Sequence, residues 1–220
     1  MKLNFVSIIF LFHITCTLQN TQSNLQDINH AEQLYMQLFK RRRAEQLEAV
    51  KGFKKFNSYE KQFSMIVVLA KKIFSVIESS RVLLEASDYI PGNSPFPKDE
   101  TIRDALSNIL ENTALFGEIV LRFPEISHTV LKSNHDWSIL YQWSIGFSNL
   151  TNNLLDRSTL TLISLVSQEL KYIERDVNYR NPYRKTTSET TMNNVEVNVK
   201  KKKRKEVRKG PRMSTAHVEL

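Results

Sequence analysis

Cysteine is nearly absent from this sequence, since Cys16 is the only one among 220 residues. It lies inside an apolar stretch at 3–18, so the rest of the chain carries no thiol. This excludes a disulfide framework, a cysteine nucleophile and a thiolate metal site from that part. Stability must come from apolar burial, and a patterned region at about 25–183 is long enough to remove roughly 70% of its unfolded surface from water.

Glycine and histidine are also sparse. The five glycines are isolated from one another, so they form neither a phosphate-binding loop nor a dinucleotide turn, and no serine lies in a nucleophile elbow. His128 and His135 straddle a predicted helix break, whereas a metal-binding histidine pair shares one helix face. We therefore predict a protein that is not an enzyme, with no catalytic residues, no metal and no cofactor.

Proline is scarce outside one loop, and apolar residues recur at intervals of three and four. This spacing is typical of helices packed on one face. We predict an all-α fold, a single bundle of about five or six helices within residues 18–184. The helices are expected at about 25–56, 59–84, 97–123, 124–131, 137–150 and 158–173.

Local signals place the helix ends. Ser58 follows Asn57 and is predicted to cap the second helix. Three prolines at 91–97 predict the principal loop, because each biases the preceding residue away from the helical conformation. Pro97 is placed at the start of the third helix, with Asp99 and Glu100 at the positive end of its dipole.

The same periodicity predicts which side chains face the core. Tyr59 is expected to begin the inward face of the second helix. Gly117 lies inside the third helix, where glycine costs about 1 kcal/mol relative to alanine, so we expect another helix to press closely there. For the first helix, the predicted inward residues are Leu25, Ile28, Leu34, Tyr35, Leu38, Leu47, Val50 and Phe53.

Two local clusters have competing interpretations. The aromatic segment at 137–147, with Trp137, Tyr141 and Trp143, is interpreted as core packing, with a partner groove as the alternative. The basic run at 40–43 points all around a helix axis and makes no single basic face. Arg41 and Glu45 are predicted to form a surface pair.

The two ends of the chain carry predicted targeting signals. Residues 3–18 are too short for a bilayer span, so residues 1–17 are predicted to be a cleaved signal peptide. His217, Val218, Glu219 and Leu220 form a close variant of the Lys-Asp-Glu-Leu retrieval signal. We expect a soluble protein of the endoplasmic reticulum lumen, partly secreted, with no membrane span. Asn149 begins a sequon, Asn-Leu-Thr, and is predicted to be N-glycosylated.

The formal net charge of +8 comes from residues 200–212, which hold nine bases and one acid, Glu206. Residues 185–220 are therefore predicted to be a disordered basic tail. An acidic lumenal partner, an anionic membrane surface, a ribosome–translocon assembly or simple solvation remain open for the tail, and no nucleic acid is expected. The candidate contact residues are Lys200, Lys201, Lys202, Lys203, Arg204, Lys205, Arg208, Lys209 and Arg212.

Four strings occur in order: PFPKDE at 95–100, ENTALFGEIVLRFP at 111–124, NPY at 181–183 and RKGPR at 208–212. Together they resemble the coiled-coil domain-containing protein 134 family over most of the chain. The resemblance implies a lumenal adaptor that assists folding of the chaperone endoplasmin and limits its hyperglycosylation. The implied partners are endoplasmin, components of the translocon and oligosaccharyltransferase, and a retrieval receptor.

The resemblance also implies an alternative, a secreted cytokine-like helical factor that dampens mitogen-activated kinase signalling through ERK and JNK. A second alternative, a nuclear co-regulator, would act through the basic tail. The candidate partner surface is Pro95, Phe96 and Pro97 with the adjoining third helix, and the alternative role for the same residues is closure of the bundle.

Overall fold

A computed structural model describes the backbone of residues 5–56 and 58–184, and the side chains of residues 28–56 and 58–184. Within that part the chain is all-α with no strand, as predicted. The predicted basic tail and the retrieval tetrapeptide lie outside these residues, and the signal peptide stays a prediction. The helices are α1 (Phe5–Phe53), α2 (Tyr59–Glu85), α3 (Glu100–Arg122), α4 (Pro124–Ser133), α5 (His135–Leu150) and α6 (Arg157–Glu169), with a 3₁₀ turn at Asn152–Leu154.

Capping side chains fix several of these boundaries. Ser58 accepts a hydrogen bond from the Lys61 amide at 3.5 Å and confirms the predicted cap of α2. Asp99 accepts from the Ile102 amide at 3.2 Å, so it is the cap of α3. The placement of Pro97 at the helix start was wrong. The helix begins at Glu100, and the carboxylate of Asp99 caps it by accepting from one of the free backbone amides of the first turn.

The first helix begins much earlier than predicted, at Phe5 instead of about residue 25. The sequence between 5 and 53 contains glycine only at Gly52 and no proline, so nothing in it ends a helix. The helix start was predicted near residue 25 because the residues before it, 19–24, are polar. Polar residues lower the apolar periodicity, but they do not disrupt the backbone hydrogen bonds of a helix.

The core is built around α3, which packs against α1, α2, α4, α5 and α6. At its centre the Phe116 ring meets Phe74 edge to face at 4.9 Å and Tyr141 at 4.9 Å between centroids. Trp137 stacks on the other side of this group, 5.2 Å from Phe74. The interpretation of the aromatic segment as core packing is confirmed.

Gly117 is the point of closest approach between α3 and its neighbours. A Cβ atom there would lie 3.2 Å from Cγ2 of Val166 and 3.3 Å from the hydroxyl of Tyr141. Val166 belongs to α6 and Tyr141 to α5, so two helices press on this glycine. The predicted close contact is confirmed, and the helix-propensity cost of glycine is offset by tighter packing.

Three residues predicted to face the core are exposed: Leu34 (48%), Leu38 (56%) and Tyr59 (52%). The buried positions described on α1 are Phe39, Arg43 and Val50, which lie on one face at helical spacing. The prediction for Val50 is confirmed, and Ile28, Tyr35 and Phe53 are partly buried against the core as predicted. Phe39 and Arg43 were missed.

The segment after α6 returns to the core through Asn181. Its side-chain amide donates to the carbonyl of Leu121 at 2.9 Å, and Asn181 itself is buried. Leu121 lies in the last turn of α3, where carbonyls have no partner within the helix. Asn181 therefore satisfies one of these carbonyls and explains why the string at 181–183 matters to the fold.

Candidate functional site

A cleft of about 640 Å³ lies between α1 and α3, next to the loop at 91–97. We call it the α1–α3 cleft. Its walls combine apolar and charged side chains, as ligand and peptide sites commonly do. The lining residues are Ala31, Leu34, Tyr35, Leu38, Phe39, Arg41, Arg42, Glu45, Phe96, Arg103, Asp104, Ser107 and Glu111.

Phe96 forms the inner wall of the cleft and does not project from the surface. Its side chain is only 6% exposed, and its ring lies 5.3 Å from that of Tyr35. Pro95 is exposed and Pro97 is half-buried. The ring of Phe96 therefore packs on α1 within the wall of the cleft, while a role for Pro95, Phe96 and Pro97 in partner binding stays a prediction.

Tyr35 places a polar atom at the bottom of the cleft. Burial raises the pKa of its hydroxyl well above the usual range. Ser107 is the nearest polar neighbour, but its hydroxyl donates to Oε1 of Glu111 at 3.0 Å. Among the described residues the Tyr35 hydroxyl has no partner with hydrogen-bond geometry. This hydroxyl is closed off from solvent, so its missing hydrogen bond is a cost to the fold and not a contact offered to a ligand.

The rim of the cleft is charged on both sides. On α1, Arg41 and Arg42 both approach Glu45, at 3.4 and 3.6 Å, so the predicted pair of Arg41 and Glu45 is confirmed. Arg42 also reaches across to Glu111 of α3 at 3.6 Å. Arg103 donates instead to the carbonyl of Lys98 at 2.6 Å, which ties the loop to α3. These exposed pairs add little stability, so they are free to exchange partners.

The carboxyl of Glu111 is partly buried in the cleft, and this burial shifts its pKa. Burial raises the pKa of its carboxyl, and this is partly opposed by the hydrogen bond from Ser107 and the nearby charge of Arg42. Because the folded state then holds a proton more tightly than the unfolded chain, the free energy of unfolding falls as pH rises from the usual carboxyl pKa through the raised one.

We expect Glu111→Gln to gain stability relative to the wild type as pH rises from 4 to 7, since the variant has no carboxylate to desolvate. Urea unfolding at the two pH values measures this. Glu45→Gln is the control, because it removes another partner of Arg42 from a more exposed position, 54% against 21% for the Glu111 side chain. An identical stability difference for Glu111→Gln at both pH values would contradict the argument.

Behind the cleft lies a buried charge network that the sequence analysis missed. Glu118 of α3 accepts from Nη2 of Arg43 at 2.8 Å, and its other oxygen accepts from Nη1 of Arg122. Arg43 also donates to Gln46 at 2.9 Å. Burial lowers the pKa of Arg43, and Glu118 opposes this. One feature of the sequence indicates this burial. Arg43 lies on the same helix face as the apolar residues Phe39 and Val50.

Asn149 lies in the last turn of α5 with its side chain exposed. The third residue of the sequon, Thr151, is buried, and its hydroxyl donates to the carbonyl of Phe147 at 3.0 Å. The acceptor is thus accessible in the folded protein. Glycosylation at Asn149 stays a prediction.

No group of three His, Cys, Asp or Glu side chains that could hold a metal ion is found in the part of the chain that the structure describes. None of the described helices combines the length and apolar character that a bilayer span requires. The fold and the cleft define the class of the protein. It is an all-α helical bundle with a cleft lined by apolar and charged side chains.

The chain belongs to the family described as "ERK and JNK pathways, inhibitor", whose model matches residues 19–214. It is 37% identical over 197 residues to Coiled-coil domain-containing protein 134 of Mus musculus, covering 85% of this chain and 86% of the mouse protein. The protein of the same name from Xenopus tropicalis is 37% identical over 200 residues, covering 86% and 87%. No solved structure matches. The family resemblance drawn from the sequence strings is confirmed.

Proposed function

We propose that this chain is a secreted helical factor that dampens signalling through the ERK and JNK pathways by binding a protein partner. The observation that carries the proposal is the match of the family model, described as an inhibitor of both pathways, across residues 19–214. The α1–α3 cleft supplies a surface for such binding, since it combines exposed Leu34 and Leu38 with a charged rim.

Leu34 and Leu38 are proposed as the apolar anchors of the cleft. They are one helical turn apart on α1 and both are exposed, so they form one apolar ridge. Exposed apolar side chains that lie together beside a recess mark candidate interaction surfaces.

Purified protein added to cultured cells should lower phosphorylated ERK and JNK after growth-factor or stress stimulation. Leu34→Ala with Leu38→Ala should raise the concentration for half-maximal effect by on the order of tenfold, the size expected for loss of interface anchors. Val82→Ala on α2, at a site of similar exposure (59%), is the matched control. If the wild-type protein leaves both phosphorylated kinases unchanged, the proposal fails.

A second candidate function is a non-enzymatic adaptor of the endoplasmic reticulum lumen that assists endoplasmin and limits its hyperglycosylation. The exposed sequon at Asn149 favours it, because N-glycans are added in the secretory pathway. Cross-linking in intact microsomes should then attach the chain to endoplasmin or oligosaccharyltransferase components. Full kinase dampening by added protein, with no such attachment, would favour the secreted factor.

A further inference from the structure

The end of α1 and the first half of α2 carry an excess of positive charge. Five lysines lie along this stretch and all are exposed, against one acid, Glu60. The nearest acid on α1, Glu48, is held by Lys51 at 2.6 Å. Outside residues 200–212 the chain has equal numbers of bases and acids, so this excess is local. We call the five residues the lysine corner: Lys54, Lys55, Lys61, Lys71 and Lys72.

Three of these lysines share the outward face of α2. At 100° per residue, Lys61, Lys71 and Lys72 lie opposite the buried row that contains Ile66 and Ile77. The centre of the outward face is Val68, which is 65% exposed. Met65, three residues earlier on α2, is 41% exposed, so this face presents two neighbouring apolar side chains among the lysines and not a single scattered one.

The apolar part of the lysine corner is a recess. A groove of about 470 Å³ is lined by Phe56, Met65 and Val68, and the polar side chains of Glu60, Lys61 and Ser64 complete its lining. The amide of Gln62 donates to the carbonyl of Phe56 at 2.8 Å and holds the turn against α2, so the groove has a fixed wall. This volume accommodates one or two large apolar side chains.

We propose that the lysine corner binds an acidic segment of a partner protein, which places one large apolar side chain in the groove and carboxylates against the lysines. The excess of positive charge selects an anionic partner. The walled groove favours a peptide over a bilayer, since an interfacial helix buries a protruding apolar face in lipid. The lysine corner shares no residue with the α1–α3 cleft, so this proposal does not depend on the proposed function.

The test is fluorescence anisotropy with the full chain and two labelled peptides, each with glutamates and aspartates around a central leucine or a central serine. Wild-type protein should bind the leucine peptide about tenfold more tightly, because only leucine fills the groove. Lys61→Glu with Lys72→Glu should weaken that binding by about tenfold at low salt. Val68→Ser should abolish the preference for leucine. Lys132→Glu, at an exposed position of α4, should leave the affinity for both peptides unchanged.

The basic residues at 200–212 also attract acidic peptides, so a variant with glutamine at 200–205 is measured beside the wild type. The preference for the leucine peptide should persist in it, because the groove is intact. Equal binding of the two peptides, or loss of the preference in this glutamine variant, would overturn the proposal. Binding to vesicles containing phosphatidylserine that needs Lys61 and Lys72, without binding to either peptide, would overturn it in favour of a membrane surface.

Discussion

Replacing Glu118 by alanine is expected to destabilise the protein by about 3–5 kcal/mol, the cost of removing one partner from a buried ion pair. The carboxylate lies between Arg43 and Arg122, and all three side chains are at most 10% exposed. Without Glu118 the two guanidinium groups remain in the interior with like charge and no acid between them. The carboxylate that offsets the desolvation of both groups is then lost.

Urea unfolding followed by circular dichroism measures this loss through the midpoint at constant slope. Glu45→Ala is the matched control, since Glu45 also contacts two arginines but is 54% exposed, and it should change stability by less than about 1 kcal/mol. A double-mutant cycle with Arg43→Met isolates the coupling between the two residues. Equal effects of the Glu118 and Glu45 substitutions would show that the network does not stabilise the fold.

Phe96→Ala is expected to cost about 3–5 kcal/mol, the usual range for truncating a buried phenylalanine. The ring is 6% exposed and packs on Tyr35, so its removal opens a void between the loop and α1. The loss should appear as a lower midpoint in urea and a lower melting temperature.

Pro95→Ala is the control, because Pro95 is the exposed neighbour in the same loop and its replacement leaves the ring of Phe96 in place. We expect a change within about 1 kcal/mol, chiefly from the backbone freedom of the unfolded chain. Unchanged stability of Phe96→Ala together with loss of partner binding would return Phe96 to the surface and contradict the packing described here.

The sequence predicts the helices well because their signals are local. Ser58 caps α2 and Phe123 with Pro124 separates α3 from α4, as expected from propensity and capping alone. The start of α1 and the placement of Pro97 were wrong although their signals are local, whereas the inward face of α1 was wrong because its partner is remote. Whether Leu34 or Phe39 faces inward depends on where α3 lies, and a single periodicity along α1 does not determine that.

The same reason explains what was missed in the site. Arg43 and Glu118 are 75 positions apart, and each on its own resembles an ordinary charged surface residue. Only the packing of α1 on α3 brings them together. The burial of Phe96 in the PFPKDE string could not be predicted from the sequence, because a loop aromatic has the same sequence signature whether it closes a core or contacts a partner.

Gly117 sets the distance from α3 to two other helices at once. A side chain there would push on α5 and α6 together, since Tyr141 and Val166 meet the same point of α3. Attempts to diversify the protein by random mutagenesis should therefore return few survivors at this codon.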